Sequence, residues 1–140
     1  MIGQMNEQNY FVIEDKLPSL NDYINACRTN QYKGAKLKKE VESLISAYIL
    51  VAKSKRTLAP TDKPIVVHFE WHEKTKRRDA DNVVSAKKYI LDAMQTSGII
   101  PNDSRKYVKG FTDKIVDDLK DFVVVKLEEF KEEQNETSSS

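Results

Sequence analysis

Four aspartates, with two asparagines and two lysines between them, lie in the stretch from residue 79 to residue 103. Asp79 and Asp81 are separated by one residue, and like charges so close together repel each other unless a cation neutralises them. Mg²⁺ is a suitable cation, because it binds through one or two carboxylates and keeps positions for water and phosphate oxygens. The basic run Lys74–Arg78 directly precedes the pair and suits phosphate. These residues together predict a metal-dependent enzyme that acts on a phosphodiester.

The segment after this pair separates into two faces on a helical wheel of about 100° per residue. The apolar face carries Val83, Ala86, Ile90, Ala93 and Met94. The opposite face carries Asp81, Ser85, Lys88 and Asp92. A purely structural explanation exists for each acid, since Asp79 could cap a helix, Asp92 could pair with Lys88, and Asp103 could be a turn residue. Their occurrence together nevertheless favours a site for metal and phosphate.

The elements that must position these residues follow from the apolar periodicity and the turn residues. The predicted segments are a strand at Tyr10–Glu14, a turn at Pro18–Asn21, a loop to about Gly34, a helix over Ala35–Lys53, a strand at Ile65–His72, a helix from Asp79 or Asp81 to Ser97, and strands at Lys106–Lys114 and Asp121–Glu128. This β-α-β-α-β-β order predicts a single α+β domain with two helices packed on a mixed or antiparallel sheet.

The length of 140 residues fits one domain. We expect a flexible N-terminus over residues 1–8, a folded domain over residues 9–130, and a disordered acidic and serine-rich tail over residues 131–140. The longest apolar runs are too short to cross a bilayer, and no signal peptide is visible, so a cytoplasmic protein without membrane contact is expected. The lone Cys27 excludes an internal disulfide and a cysteine-based zinc site.

Charge is distributed unevenly along a chain whose net charge is only +1. Residues 28–78 contain 13 Lys and Arg against 5 Asp and Glu, whereas residues 117–136 contain 3 against 8. Lys36, Lys38 and Lys39 lie near the beginning of a predicted helix, where the helix dipole disfavours cations and a phosphate partner would favour them. The basic region could therefore form a surface for nucleic acid, or simply a set of solvated helix faces.

Several short motifs resemble the RusA family of Holliday junction resolvases, which are typically encoded by phages and prophages. The matching segments are Arg77–Asn82, Lys87–Met94, Gly98–Ile100 and Asn102–Asp103, together with Leu17–Asn21 and Arg28, which are similar to the Pro-Ser-x-Asn segment of the family. The resemblance implies the family's fold, a homodimer with two active sites, and Mg²⁺ as cofactor with Mn²⁺ as a substitute. It further implies cleavage of branched DNA, in particular of four-way junctions, in recombination and repair.

Residue roles follow from the resemblance position by position. Asp79, Asp81 and Asp103 match the metal-binding aspartates, and Lys88 matches the active-site lysine, with the adjacent Lys87 as the competing assignment. Asn82 and Asp92 match motif positions that would support the ligands without binding the ion themselves. The side chains expected to contact DNA are Lys76, Arg77, Arg78, Lys87, Arg28, Lys33 and Lys36.

His68 and His72 lie four residues apart in a predicted strand. Side chains at this spacing point to one face but lie about 13 Å apart, too far to share an ion. We therefore expect packed strand histidines, with Phe69 and Trp71 between them in the core. Two other functions stay open on the sequence: a broader structure-selective nuclease that cuts flaps and forks, and a non-catalytic DNA-binding module.

Overall fold

A computed structural model of the chain describes residues 9–132, and its strands form one four-stranded sheet. The elements are β1 (Asn9–Ile13), α1 (Leu20–Thr29), α2 (Gln31–Ser54), β2 (Ile65–Glu73), α3 (Ala80–Val84), α4 (Lys87–Thr96), β3 (Val108–Asp117) and β4 (Phe122–Glu129). The strand order is β1-β4-β2-β3, with β2 and β3 parallel and the other pairs antiparallel. The predicted α+β domain with a mixed sheet is confirmed. Residues 1–8 and most of the expected tail, residues 133–140, lie outside the described residues.

Strand β2 determines where the core forms, because its side chains alternate strictly between buried and half-buried. Phe69 and Trp71 are buried as expected, and their rings stack with centroids 5.3 Å apart. Helices α2 and α4 pack against each other, and α2 also contacts β1. Because parallel strands cannot be joined by a tight turn, the chain must cross over between β2 and β3, and α3 and α4 lie in that crossover. Asp79 and Asp81, which we call the acidic segment, therefore follow the buried end of β2 after the basic run Lys74–Arg78.

The first helix lies in the segment for which the sequence predicted a turn and a loop. Ser19 begins α1 with a capping box, in which its hydroxyl accepts from the Asp22 N–H at 3.2 Å and the Asp22 carboxylate accepts from the Ser19 N–H at 2.7 Å. Leu20, Tyr23, Ile24 and Cys27 recur at helical spacing, although none of the α1 residues is fully buried. The turn signal at Pro18–Asn21 outweighed this short pattern in the prediction. Asn30 then caps α2, which starts four residues earlier than predicted.

The helix expected from residue 79 or 81 to residue 97 is divided in two. Ser85 ends α3, where its hydroxyl donates to the Asn82 carbonyl at 2.7 Å and accepts from the Leu20 N–H at 2.9 Å. Serine bound to nearby backbone competes with helical hydrogen bonds, which explains an interruption here. A single wheel therefore does not describe this segment, since Asp81 and Lys88 belong to different helices.

The two strand histidines have separate hydrogen-bonding partners, as their spacing predicted. His68 lies between Thr112 and Glu128, at 2.7 and 2.8 Å. His72 lies between Asp118 and Glu70, both at 2.7 Å, and stacks on the ring of Phe122. No helix among residues 9–132 has the length and apolar character needed to cross a membrane.

Candidate active site

The acidic segment stands at the start of α3. Asp79 occupies the N-cap position, and its backbone carbonyl accepts from the Asn82 and Val83 N–H groups at 3.0 and 3.1 Å. Its carboxylate makes no capping hydrogen bond, although this is what an N-cap aspartate ordinarily does. Asp81 follows in the first turn of the helix. Both residues are exposed, and in the described part of the chain neither carboxylate has a hydrogen-bond or ion-pair partner. Two adjacent carboxylates are thus available to a cation.

A polar clamp joins the start of α1 to this acidic segment. The Asn21 side-chain N–H donates to the Asn82 side-chain oxygen at 2.9 Å. The Leu20 N–H donates to the Ser85 hydroxyl at 2.9 Å, so two contacts separated by about one helical turn hold α3 in place. Asn82, the residue after Asp81, therefore uses its side-chain oxygen for a contact with α1. We refer to Leu20, Asn21, Asn82 and Ser85 as the clamp.

Lys88 lies on α4 between two carboxylates. Its Nζ atom is 3.1 Å from Asp92 Oδ1 and 3.4 Å from Asp103 Oδ2. The hydrogen bond to Asp92 raises the pKa of the Lys88 ammonium, partly opposed by desolvation, and the Asp103 charge also raises it. The side chain is 63% exposed, so the ammonium is both accessible to solvent and held in its charged form at neutral pH. It can therefore attract an anion such as phosphate.

Asp92 connects Lys88 to a second lysine, Lys38 on α2. Lys38 Nζ is 3.4 Å from Asp92 Oδ2 and 2.8 Å from Glu42, and the Glu42 hydrogen bond raises the pKa of the Lys38 ammonium. Asp92 thus accepts from two cations on different helices, which suits a residue that orients Lys88. We call Lys38, Lys88, Asp92 and Asp103 the lysine network.

Asp103 is presented by a turn that follows Pro101. The Asn102 side-chain oxygen accepts from the Ser104 N–H at 2.9 Å, which is an Asx turn. Asn102 therefore shapes the turn, while the neighbouring carboxylate of Asp103 reaches Lys88.

Lys87, the competing candidate for the active-site lysine, lies in a different environment. Its Nζ atom is 2.7 Å from Asp113 Oδ2 and lies over the rings of Phe111 and Phe69, at 4.7 and 5.4 Å from their centroids. The other Asp113 oxygen accepts from the Trp71 indole N–H at 2.9 Å. The structure thus brings Lys88, and not Lys87, beside Asp103.

Comparison with known protein families agrees with these motifs. The family described as endodeoxyribonuclease RusA matches residues 3–128. The chain belongs to the RusA family. The match includes the clamp, the acidic segment and the lysine network, so all the predicted site residues of this RusA protein lie within the matched region. Among curated proteins no match to the chain is found. Family membership supports a nuclease, an enzyme that hydrolyses a phosphodiester.

The basic residues of this RusA protein divide into exposed and internal ones. Arg78 is internal: its guanidinium forms two hydrogen bonds with the Glu73 carboxylate at 3.2 and 2.9 Å and a third with the Leu17 carbonyl at 3.3 Å. Both side chains of this ion pair are largely buried. Arg78 and Lys87 were expected to contact DNA, but the structure uses both in internal ion pairs. A buried carboxylate at the end of β2 requires a cation, and Arg78 supplies it.

The remaining predicted DNA contacts are exposed. They are Lys76 and Arg77 before α3, Arg28 at the end of α1, and Lys33 and Lys36 in the first turns of α2. The side chains of Lys76 and Lys36 have only long ion-pair contacts, 4.0 Å to Asp117 and 3.9 Å to Glu40. Pairs of exposed side chains such as these contribute little stability, so their lysines can exchange them for phosphate.

Three residues of the clamp and the lysine network, Lys38, Ser85 and Asn21, were not predicted as site residues. Lys38 was recognised only as one of the lysines at the start of a helix, and its contact with Asp92 depends on how α2 packs against α4. Ser85 was placed on a polar helix face without a role. Asn21, by contrast, belongs to the Leu17–Asn21 motif, and that motif was the signal from which its contact with the acidic segment could have been suspected.

The donor set fits a hard cation. The predicted ligands Asp79, Asp81 and Asp103 offer only carboxylate oxygens, the donors that Mg²⁺ and Mn²⁺ prefer. In the part of the chain described by the structure, no three His, Cys, Asp or Glu side chains are grouped closely enough to hold a metal ion. Asp103 is instead held by Lys88, while Asp79 and Asp81 have no protein cation of their own. Of the three predicted ligands, Asp79 and Asp81 are thus without a protein cation among residues 9–132, and the partner of Asp103 is a solvent-exposed ammonium.

Proposed function

We propose that this RusA protein is a Mg²⁺-dependent endonuclease that resolves four-way DNA junctions in recombination and repair. Mn²⁺ would substitute for Mg²⁺. A homodimer would carry the two active sites that paired incisions require. The expected setting is the cytoplasm of a bacterial cell, with a phage or prophage as the source of the gene. The observation that carries the proposal is the unneutralised pair Asp79 and Asp81, fixed by the clamp and followed along the chain by the Lys88–Asp103 pair.

The metal would be held by Asp79, Asp81 and Asp103. When bound, it would supply activation of a water and stabilisation of charge on the phosphate. Lys88 would neutralise the scissile phosphate, because its ammonium stays protonated beside Asp92 and is accessible to solvent. Asp92, itself held by Lys38, would keep the Lys88 side chain directed toward this position. Asn82 and Asn21 would fix the backbone that presents Asp81.

Binding would rest on contacts to the DNA backbone. Lys76 and Arg77 lie directly before the acidic segment, and Arg28, Lys33 and Lys36 extend the basic surface along α1 and α2. Such contacts neutralise phosphates and release counterions, so affinity should fall steeply with salt and depend on the shape of the DNA more than on its sequence. Arg78 and Lys87 would support this surface from inside, without touching DNA.

The test is cleavage of a synthetic four-way junction by the wild type and by Asp81→Asn, with and without Mg²⁺. We expect the substitution to abolish cleavage and to leave junction binding intact, since it removes a ligand charge and none of the exposed basic residues. Asp62→Asn, an exposed aspartate outside the site, is the matched control and should cleave normally. Retained cleavage by Asp81→Asn would remove this residue from the ligand set.

The same assay distinguishes the other two functions. Incisions mapped at symmetric positions in two opposing strands support junction resolution. Equal rates on flaps, forks and junctions at one salt concentration would indicate a broader structure-selective nuclease. Binding without any cleavage by the wild type in Mg²⁺ or Mn²⁺ would indicate a DNA-binding module.

A further inference from the structure

Three basic side chains, Arg105, Lys106 and Lys109, lie beside the turn that presents Asp103. Together they line an open depression in the surface, and all three are exposed. In the part of the chain that the structure describes, none of them forms an ion pair, although Lys106 Nζ lies 5.3 Å from the centre of the Tyr107 ring. Three positive charges without an ion-pair partner attract anions. We call these three residues the basic cluster.

The backbone of this turn is fixed by its own hydrogen bonds. The Ser104 carbonyl accepts from the Tyr107 and Val108 N–H groups at 3.0 and 2.9 Å. The Tyr107 carbonyl accepts from the N–H of Ile65, the first residue of β2, at 2.8 Å. The turn is therefore ordered before any ligand binds. A binding site whose backbone is already ordered loses less conformational entropy on binding.

A β-bulge lies at Lys109, the member of the basic cluster that belongs to β3. Val108 pairs with Ile65 and Gly110 pairs with Val66, so Lys109 is an extra residue without a partner on β2. A bulge bends its strand and re-aims a side chain, and bulges are frequent next to active sites. The bulge therefore explains how a strand residue joins two turn residues around one depression.

The basic cluster is connected to the candidate active site through Asp103. Arg105 and Lys106 follow Asp103 by two and three residues, so their Cα atoms lie at most about 8 and 11 Å from the Asp103 Cα atom. The Asp103 carboxylate is 3.4 Å from Lys88, the residue proposed to neutralise the scissile phosphate. One strand of DNA carries a charge about every 3.4 Å along the helix axis. A phosphate a few nucleotides from the scissile one is therefore within reach of these long side chains.

We propose that the basic cluster is a phosphate-binding site that holds the DNA backbone a few nucleotides from the scissile phosphate. The exposed DNA contacts expected from the sequence all lie in residues 28–36 and 76–77, so the cluster adds a contact from a third segment of the chain. The proposal rests on the proposed function for the position of the scissile phosphate. Backbone contacts of this kind fix the register of DNA on a protein and do not read its base sequence.

The first experiment measures binding of a synthetic four-way junction in EDTA over a range of NaCl concentrations. The wild type is compared with Arg105→Gln/Lys106→Gln/Lys109→Gln, which we call the triple variant. Each phosphate contact contributes about 0.9 to the slope of log K against log [NaCl] on duplex DNA. We therefore expect the slope to decrease in magnitude by about 2 to 3 and the affinity to fall by about tenfold or more. A slope equal to that of the wild type overturns the proposal.

Two control variants separate a local contact from an effect of net charge. Lys53→Gln/Lys55→Gln/Lys120→Gln removes the same total charge at exposed positions, and its slope should stay within about 1 of the wild-type value. A variant of the basic cluster with the arginine changed to lysine and both lysines to arginine keeps the three charges and should bind like the wild type. If the charge-matched control weakens binding as much as the triple variant does, net charge is the cause and the proposal fails.

The second experiment locates the phosphates that the basic cluster contacts. A series of junctions carries a single uncharged methylphosphonate at each phosphate around the branch point in turn. We expect the wild type to bind more weakly at a few neighbouring positions and the triple variant to be insensitive at those positions, because the charge that faces them has been removed. If every sensitive position weakens both proteins equally, other residues make these contacts and the assignment is wrong.

The outcomes separate the basic cluster from the nuclease activity. A wild type that cleaves junctions in Mg²⁺, with a triple variant that keeps the wild-type slope, would refute the cluster and leave the proposed function standing. A slope that decreases as expected, in a protein whose wild type cleaves no DNA, would support the cluster as a phosphate contact and refute the nuclease. For this reason binding is measured in EDTA and cleavage in a separate reaction.

Discussion

Lys87 and Lys88 are neighbours in the first turn of α4 and lie in opposite environments. Lys87 is directed to β3, where one carboxylate and two aromatic rings surround its ammonium, and its side chain is 20% exposed. Lys88 is directed to Asp92 and Asp103, and its side chain is 63% exposed. In a helix, successive residues lie about 100° apart, so two adjacent lysines necessarily serve different surfaces.

The contrast shows what distinguishes a structural ion pair from a site. The Asp113 carboxylate is satisfied by Lys87 and Trp71, so this group of residues has no capacity for a ligand. In the lysine network, the Lys88 ammonium contacts the carboxylates of Asp92 and Asp103 at longer distances than Lys87 contacts Asp113. It also remains open to solvent. Two further carboxylates, Asp79 and Asp81, have no cation in the described part of the chain. We therefore expect catalysis at charged side chains that are held in place but whose charges are not all paired within the protein.

Among the substitutions that test this comparison, the largest effect is expected from removing the exposed lysine. Lys88→Ala should lower the cleavage rate by about 100-fold or more, because a positioned cation at the phosphate is lost, while stability changes little. Single-turnover cleavage of the four-way junction, together with urea unfolding, measures both quantities. Lys53→Ala, an exposed lysine near the end of α2, is the control and should cleave normally. A rate within threefold of the wild type would show that Lys88 does not act on the phosphate.

The internal lysine should give the reverse result. Lys87→Ala should lower the free energy of unfolding by about 2 kcal/mol, because the partly buried Asp113 loses its cation, and should reduce cleavage by less than tenfold. Urea unfolding at one fixed protein concentration tests this. Adding Asp113→Ala to Lys87→Ala should lower the free energy of unfolding only slightly further, because the effects of substituting two residues in contact are not additive. A large loss of cleavage with unchanged stability would reverse the comparison between the two lysines.

The clamp tests how the exposed site is kept in place. Asn21→Ala removes one hydrogen bond to Asn82, worth about 1 kcal/mol, and should lower kcat about fivefold with KM for the junction unchanged. Asn25→Ala, one turn further along α1, is the matched control. An increase in KM with constant kcat would instead indicate that Asn21 binds DNA.

The smallest effect is expected at Tyr48, which is hydrogen-bonded to Asp15 and lies far from Lys87 and Lys88 in the sequence. The Tyr48 hydroxyl donates to Asp15 at 2.6 Å, and this hydrogen bond, with burial adding to it, raises the pKa of Tyr48 from 10.0 to about 12. Tyr48→Phe should lower stability by about 1 kcal/mol at pH 7 and leave cleavage unchanged.

The pH dependence of this difference has a definite sign. The neutral phenol is the donor and its pKa is raised in the folded state, so the contribution is complete below pH 10 and is lost between pH 10 and about pH 12. Urea unfolding of the wild type and Tyr48→Phe from pH 7 to pH 11.5 measures it, with the exposed Tyr32→Phe as control. If the difference in free energy of unfolding between the wild type and Tyr48→Phe increased above pH 10, the hydrogen bond to Asp15 would not be its cause.

Most of the fold could be predicted from the sequence, because its signals are local. Alternating apolar residues predicted β2, and the periodicity over residues 35–53 predicted most of α2. Helix α1 was missed because the turn signal at Pro18–Asn21 outweighed two local signs of a helix, the spacing of Leu20, Tyr23 and Ile24 and the Ser19–Asp22 capping box. The break at Ser85 was missed because it depends on a contact with Leu20, 65 residues away in the chain.

By itself the sequence determined the family and the candidate ligands: residue types and spacing between Asp79 and Asp103, with the motif at Leu17–Asn21, were enough for both. Only the tertiary structure decided which of two adjacent lysines reaches Asp103, that Arg78 neutralises Glu73, and that Lys38 joins Asp92. The two lysine contacts depend on how α4 and α2 pack against each other, and the Arg78 contact depends on how the chain turns back after β2. Packing of apolar residues sets these arrangements, and the charged side chains then take the partners that this packing brings within reach.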